Sequence, residues 1–277
     1  KADGLASGKG VYICKDFNDA KIAAEEIFNG KFGLTEKILV EEFLDGEEMS
    51  YFVVTDGKNY KFFGSAQDHK RVGEGDVGKN TGGMGCYSPS RLLSDELEFK
   101  IQKKIIEPTL NAINEQGGIY KGFLYVGLMI KDGNPFLIEF NVRMGDPECQ
   151  VIIPRLKTDL LKIFQSAILN RLNKIKIKWE RNKCMTIVLC SKGYPGKYKK
   201  GKLIKNINKA KIEKNSFIFH AGTKLINKKL LSNGGRVLNI TSTGKIFKKI
   251  RKNIFKIIKV INWKHGFFRK DIGWRVI

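Results

Sequence analysis

The spacing of apolar residues changes along this chain, and the changes mark its elements. From Asp16 to Phe28 the apolar positions Phe17, Ala20, Ala24 and Ile27 recur at helical spacing, with Asp16 placed to cap the N-terminus. Ile38-Leu39-Val40 predicts a short buried strand. Met49 to Thr55 predicts a second strand, and Asp56-Gly57-Lys58 a tight turn into a third at Tyr60–Phe63. Gln67 to Pro89 breaks the pattern and predicts a long glycine-rich loop holding Asp68, Glu74, Asp76 and Asn80. Such a loop inside a compact domain is uncommon unless it serves a site. Ser94 to Gln116 predicts a helix with acidic residues at its N-terminal end. Gly122–Ile130 and Pro135–Asn141 predict a hairpin around Lys131-Asp132-Gly133-Asn134, and Asp159–Asn170 an amphipathic helix. After a composition shift at 170–183, strands are expected at Met185–Ser191, Ser216–Ala221 and Arg236–Thr241, and a basic helix around Lys245–Lys259. A domain boundary is placed near Lys183.

The predicted strand at 135–141 runs into Ile138-Glu139-Phe140-Asn141-Val142-Arg143-Met144-Gly145-Asp146-Pro147-Glu148. Side chains on a strand alternate, so Glu139, Asn141 and Arg143 are expected on one face. Carboxylate and amide oxygens are the hard ligands that Mg²⁺ takes, usually together with substrate phosphates. A guanidinium beside them suits a phosphoryl or acyl-phosphate group. The triplet alone also fits a polar strand edge; the two further carboxylates of Gly145-Asp146-Pro147-Glu148 turn the reading toward an active site.

Lys1-Ala2-Asp3-Gly4-Leu5-Ala6-Ser7-Gly8-Lys9-Gly10-Val11 is a small-residue loop with two lysines. Glycines let backbone N–H groups approach phosphate oxygens. It is not a Walker A loop, because Gly10 follows Lys9 where Ser or Thr is required. Val40-Glu41-Glu42-Phe43-Leu44-Asp45-Gly46-Glu47-Glu48 then runs from a strand into an acidic loop, able to offer backbone groups to an adenine and a carboxylate to a ribose, or simply to face solvent.

Composition bounds the answer. The 277 residues suffice for one large or two modest domains, and mean hydropathy is −0.26. No apolar run approaches the roughly 18 residues of a membrane helix. Five scattered cysteines without metal spacing suit reduced thiols in the cytoplasm. The net charge of +23 is uneven, with −4 over residues 1–170 and +27 over residues 171–277. Such a half can bind nucleic acid. Here Lys far outnumbers Arg and few aromatics interleave as stacking platforms, so a solvated lysine surface accounts for the charge.

Taken in order, these pieces resemble the ATP-grasp enzymes, and within them the glycinamide ribonucleotide synthetase (phosphoribosylamine–glycine ligase) family. The matching segments are KADGLASGKGV at 1–11, EEFLDGEE at 41–48, QDHKR at 67–71, NTGGMG at 80–85, GFLYVGLM at 122–129, IEFNVRMGDPE at 138–148, GYPG at 193–196, HAGTK at 220–224, GGRVL at 234–238 and RKDIGWR at 269–275. Met144 departs from the aromatic more common there, and methionine fills the same volume.

The resemblance implies an α/β (α+β ATP-grasp) fold. Residues 1–183 would form the ATP-grasp domain, with a glycine-loop lid over about 1–52 and a central antiparallel-sheet part over about 53–183. Residues 184–277 would form a small C-terminal α/β domain. It implies ligation of glycine to 5-phosphoribosylamine with ATP, through glycyl phosphate, in purine synthesis. Glu139 and Asn141 would hold Mg²⁺ or Mn²⁺. Arg143 would stabilise the transferred phosphoryl group, with Asp146 beside it. Lys1, Ser7, Gly8, Lys9 and Gly10 would cover the phosphates, Glu41, Phe43 and Leu44 the adenine, and Glu48 the ribose. Asp68, Lys70, Arg71, Thr81, Gly82, Gly83, Gly85 and Glu148 would face the other substrates. Asp146 and Glu148 are either ligand contacts or orienters of Arg143, and His69 is either structural or chemical. A cytoplasmic monomer without membrane or nucleic-acid partners is expected. The family's N-terminal substrate domain is not among these residues, so the chain is expected to be part of a longer enzyme and inactive by itself. Another ATP-grasp carboxylate–amine ligase, or a nucleic-acid-binding basic module, are the alternatives.

Overall fold

The protein is described from a computed structural model, which covers residues 1–3, 10–210 and 215–277. The described elements run in the order α1 (Phe17–Phe28), β1 (Glu47–Thr55), β2 (Tyr60–Asp68), β3 (Arg71–Gly73), β4 (Val77–Asn80), β5 (Gly85–Ser88) and α2 (Asp95–Ile101). Then come α3 (Glu107–Glu115), β6 (Gly122–Lys131), β7 (Asn134–Asn141), α4 (Cys149–Ile152), α5 (Leu160–Ile168) and β8 (Lys183–Ser191). The last are β9 (Ser216–His220), β10 (Thr223–Ile226), β11 (Lys229–Ser232), β12 (Arg236–Gly244), α6 (Phe247–Val260) and β13 (Gly266–Phe267).

Most helix starts follow from the sequence. Asp16 caps α1 by accepting from the Asp19 N–H, Ser94 caps α2 through the Leu97 N–H, and Asp159 caps α5 through the N–H groups of Leu161 and Lys162. Between α2 and α3 the backbone widens into one π-turn, Gln102–Ile106, where the Glu107 N–H reaches Gln102 O. Pro108 lies just beyond; it has no N–H to return to the preceding turn, and a widened turn accommodates that loss.

Nine of the described strands form one antiparallel sheet in the order β7-β6-β1-β2-β5-β8-β12-β9, with β13 added beside β8, while β3–β4 and β10–β11 form separate two-stranded sheets. The large sheet crosses residue 183 without a break, because Cys86 pairs with Thr186 and Tyr87 with Met185. One face packs Tyr51, Val53, Leu124, Val126 and Leu128 against α2 and α3 through Leu97, Ile101 and Ile106. The other packs Phe52, Val54, Phe63 and Tyr125 against Val151, Ile152 and Ile163 of α4 and α5. A third core lies under α6, where Ile250, Ile254, Ile257 and Ile258 meet β8 and β12.

Two expectations are corrected. Ile38–Val40 is not a buried strand: Leu39 is 49% and Val40 85% exposed, and among the described residues the segment pairs only by an Ala2–Ile38 bridge and two hydrogen bonds from Leu39 and Lys1. With nothing among the described residues laid over it, β-propensity had no surface to bury. Residues 67–89 are not a loop either. They continue β2, fold the β3–β4 hairpin and add β5, since their backbone groups find partners by pairing rather than solvent. The β10–β11 hairpin was not anticipated from the sequence.

Gly64 sits at a register shift between β1 and β2 with φ +125°, and a Cβ there would meet Ile152 Cγ2 at 2.9 Å. Gly64→Ala should therefore lower the unfolding free energy by about 2 kcal/mol through backbone strain and overpacking. Urea unfolding followed by tryptophan fluorescence checks this, and an unchanged midpoint would refute it.

Candidate functional site

Pairing builds the site. Ser50 of β1 lies opposite Gly127 of β6, and Gly127 opposite Glu139 of β7, so the three share a row and a face. One step along, Tyr125 lies opposite Asn141. A Cβ on Gly127 would stand 3.2 Å from both Glu139 Cγ and Tyr125 Cε1, so only glycine leaves the row open. The expected trio is only partly aligned. Asn141 Nδ2 and Glu139 Oε1 are 3.3 Å apart, but β7 ends at Asn141, and Arg143 lies in the bend beyond, donating to Met144 O at 3.1 Å. Two-residue alternation stops where the strand stops.

Against this face lies a cleft lined by Glu48, Ser50, Asp68, Lys70, Tyr125 and Gly127, with Met49, Leu128 and Ile138. Lys70 Nζ pairs with Glu48 at 2.6 Å. Ser50 Oγ donates to Glu148 Oε1 at 2.9 Å and stands 3.2 Å from Tyr125 Oη. Gly145 is required beside it, because a Cβ there would fall 2.3 Å from Glu148 Oε2. Burial, and after it Glu148, pushes the Asp68 carboxyl well above its ordinary value. Burial likewise raises Glu148. Burial opposes charge on Lys70, yet Glu48, Tyr125 and Asp68 outweigh it and hold the ammonium above its ordinary pKa. The cleft thus gathers more carboxylates than cations.

The C-terminal part closes one wall. Arg236 Nη1 donates to the carbonyls of Asp146, at 2.6 Å, and Gly82, and Nη2 to Asp146 Oδ2 at 3.1 Å. Gly82 N donates to Tyr194 Oη at 2.9 Å, so both ends of that glycine's polar backbone are held. A Cβ on Gly83, at φ +111°, would strike Pro147 Cδ at 2.5 Å and Asp68 Oδ1 at 2.7 Å.

Of the residues expected from the sequence, the structure thus brings together Glu48, Asp68, Lys70, Gly82, Gly83, Asp146 and Glu148 near Glu139 and Asn141. Lys1 and Glu41 form a separate pair at 3.2 Å, and Phe43 is 66% exposed with Leu44 beside it half-buried. Gly10 accepts from Ala2 N; Ser7, Gly8 and Lys9 lie outside the described residues. Arg71 is engaged inside the hairpin, donating to Gly78 O at 2.8 Å, and Thr81 donates to Lys70 O. Gly85 is buried in β5, where a Cβ would meet Thr186 O and Ile272 Cγ2, each at 2.8 Å. Ser50, Tyr125, Gly127, Tyr194 and Arg236 were not among the expected site residues. A glycine inside the apolar run 123–130 was the signal for Gly127.

A metal ion is implied by the triplet. Among the described residues no three His, Cys, Asp or Glu side chains converge on a point. The Glu139–Asn141 pair fits an ion that completes its shell with phosphates and water, once the Asn141 amide turns its oxygen inward. A larger groove of about 540 Å³ lies at Lys61, Phe62 and 173–179, and its lining holds no carboxylate.

The mixed α/β architecture built on one large antiparallel sheet is that of the ATP-grasp fold. A family model described as phosphoribosylglycinamide synthetase, ATP-grasp (A) domain, matches residues 1–149, and one described as its C domain matches residues 184–275. The chain belongs to this family. It is 44% identical over 278 residues to the phosphoribosylamine–glycine ligase of Brucella melitensis, covering all of this chain and 65% of that protein. It is 46% identical over 283 residues to the chloroplastic phosphoribosylamine–glycine ligase of Arabidopsis thaliana, covering all of this chain and 53% of that one. The chain therefore spans between half and two thirds of these relatives. The crystal structure of phosphoribosylamine–glycine ligase from Thermotoga maritima superposes with a TM-score of 0.80 at 33% identity, covering 98% of this chain and 67% of that chain. The biotin carboxylase domain of Hydrogenobacter thermophilus 2-oxoglutarate carboxylase, solved with MgADP and bicarbonate, shares the fold at TM-score 0.68 and 15% identity, covering 96% of this chain and 57% of that chain.

His69 is settled by its neighbours. Its Nδ1 faces Gly85 O and its Nε2 accepts from Gly273 N, each at 3.2 Å, so the neutral ring is bonded on both sides. Burial, then Arg269, pushes its pKa down to about 4, with Asp76 pulling upward and Arg275 downward. Because the unfolded chain binds that proton more readily, the contribution of His69 is complete above about pH 6.5 and is lost as pH falls toward 4. Wild type should lose about 2 kcal/mol more stability than His69→Gln between pH 7 and pH 4.5. Paired urea titrations at the two pH values read the difference, and parallel losses would refute the burial of a neutral ring.

Proposed function

We propose that this chain forms the ATP-grasp and C-terminal parts, residues 1–183 and 184–277, of an ATP-dependent ligase that joins glycine to 5-phosphoribosylamine. The observation that carries the reading is the row Ser50–Gly127–Glu139, which sets a metal-capable pair on the same sheet face as the Glu48–Lys70–Asp68–Glu148 cleft. The names of the relatives support the choice of substrates. All five cysteines are free, and no described helix is long and apolar enough to cross a membrane. A cytoplasmic monomer using Mg²⁺ or Mn²⁺ completes the reading.

Glu139 and Asn141 would hold a divalent ion, which supplies charge neutralisation to ATP's outer phosphates. Lys1 would face those phosphates, and Glu41, Phe43 and Leu44 the adenine. Glycine's carboxylate attacks the γ-phosphorus, ADP leaves, and glycyl phosphate forms. The amine of phosphoribosylamine then attacks the acyl carbon, the C–O bond to phosphate breaks, and the amine gives up a proton. Arg143 offers its planar fork to the transferred phosphoryl oxygens, whose charge grows in the transition state. The surplus of carboxylates at Asp68 and Glu148 suits an ammonium, and so glycine's own amino group. Lys70, tied to Glu48, lines the cleft beside Asp68, and Gly83 packs against the Asp68 carboxylate.

Glu139→Gln in the complete protein should abolish glycinamide ribonucleotide formation while leaving the unfolding curve nearly unchanged, because the amide keeps the volume and loses the charge that binds metal. Near-normal turnover at saturating Mg²⁺ would remove Glu139 from the metal site. Arg143→Lys should lower kcat far more than it raises KM for ATP, since lysine keeps the charge but not the fork. A change confined to KM would move Arg143 to ground-state binding.

A further inference from the structure

Residues 269–275 take no part in the chemistry above, yet they carry an arginine that is only 1% exposed. Arg269 Nη1 donates to Asp76 Oδ1 at 2.8 Å and to the carbonyl of Arg71 at 2.9 Å. Its Nε and Nη2 donate to the two carboxylate oxygens of Asp271 at 2.8 and 2.6 Å. Asp76 Oδ2 also accepts from Arg275 Nη2 at 2.8 Å and Trp274 Nε1 at 3.3 Å. Lys270 N donates to Glu74 Oε1, Gly75 N to Asp271 Oδ2, and Gly273 N to the His69 ring. The partners at the hairpin end of these bonds all lie between residues 69 and 76.

That is the β3–β4 hairpin and its entry. The hairpin forms its own two-stranded sheet, not laddered to the main one. Among the described residues, this largely charge-assisted set is its main polar attachment, beside Val72, which packs on the C-terminal core, and the Tyr194 and Arg236 bonds at Gly82. Its two ends are Lys70 and Thr81, and Thr81 N and Oγ1 both donate to Lys70 O at 2.8 Å. A tilt of the hairpin is therefore transmitted to both Lys70 and the Gly82–Gly83 peptide, where it works against the holds of Glu48, Tyr194 and Arg236.

We propose that residues 269–275 are a positioning strap: by holding the hairpin they set where Lys70 and Gly82–Gly83 stand in the cleft, with Arg269 the positioning residue. Its effect on substrate rests on the ligase reading; its effect on the hairpin does not. Two low-dielectric pairs on one fork fix an orientation, not only a distance, which is why arginine rather than lysine is needed at this position.

Two variants test it in the complete protein. Asp76 has φ +57°, a conformation asparagine tolerates, so Asp76→Asn removes the charge without straining the turn. Arg269→Lys keeps the charge and gives up the fork. Hydrogen exchange should show amides 71–81 opening roughly 10-fold faster in both, with β1 and β8 within about twofold of wild type. KM for phosphoribosylamine should rise about 10-fold while KM for ATP stays within about twofold. Unchanged hairpin exchange overturns the strap. Acceleration spread evenly through β1 and β8 also overturns it, since the network would then be holding up the whole fold. A loosened hairpin with an unchanged KM for the amine overturns the positioning role. Wild-type protein without ligase activity would sink the ligase reading, and the exchange measurement would still decide the strap.

Discussion

The site depends on antiparallel register. Ser50 is far in sequence from Gly127 and Glu139, which stand on the two arms of one hairpin, and only the β1–β6 and β6–β7 pairings put the three in one row. Side chains alternate, so a slip of one residue in either pairing would send Ser50 or Glu139 to the face packed by α2 and α3. The apolar residues prevent the slip. Tyr51 and Val53 must meet Leu97 and Ile101 on that face, while Phe52 and Val54 meet Ile152 and Ile163 on the other. Both faces are buried along most of β1, so there is no solvent side onto which a slipped strand could turn. The core thus sets the geometry of the polar row.

That rigidity allows an electrostatic arrangement that a softer scaffold would not hold. Burial raises both the Asp68 and the Glu148 carboxyls, and Glu148 raises Asp68 further, with Lys70 and Arg236 as the neighbouring cations. Left free to move, such groups would separate or find water. Here Ser50 holds Glu148, the His69 N–H holds Asp68 at 2.7 Å, and Arg236 holds Asp146. Burial favours the protonated carboxyls, and a cationic group placed beside them would favour their charged forms instead, so binding of such a group and ionisation of the pair support one another.

Local pattern revealed most elements and much of the candidate site. The Asp16 cap, the helix start at Ser94 and the hairpins at 56–58 and 131–134 were legible because each depends on residues near in sequence. Ile38–Val40 misled because β-branched composition describes a willingness to be covered, and nothing among the described residues covers it. The stretch 67–89 misled in the opposite sense: its glycines suggested a loop, but they permit the positive φ values of a tight hairpin and the close approaches at Gly83 and Gly85. Arg236 and Tyr194 could not be placed from their own neighbourhoods. Their targets, Gly82 and Asp146, lie far away in sequence, and only the β5–β8 pairing brings them close.

The same pairing bears on the basic half. A surplus of lysine on the surface of residues 171–277 invites a reading as a separate polyanion-binding module, yet this half shares a sheet with the other through β5 and β8. Its arginines at 236, 269 and 275 are committed to Asp146, Asp76, Asp271 and Glu47, carboxylates that line or support the cleft. Lysine, the residue that dominates this half, is largely absent from those bonds. Arginine is used where two acceptors must be held in a plane, and lysine where a charge need only be solvated. The division of labour between the two cations separates what the fold requires from what its composition merely tolerates, and it ties the C-terminal part to the cleft.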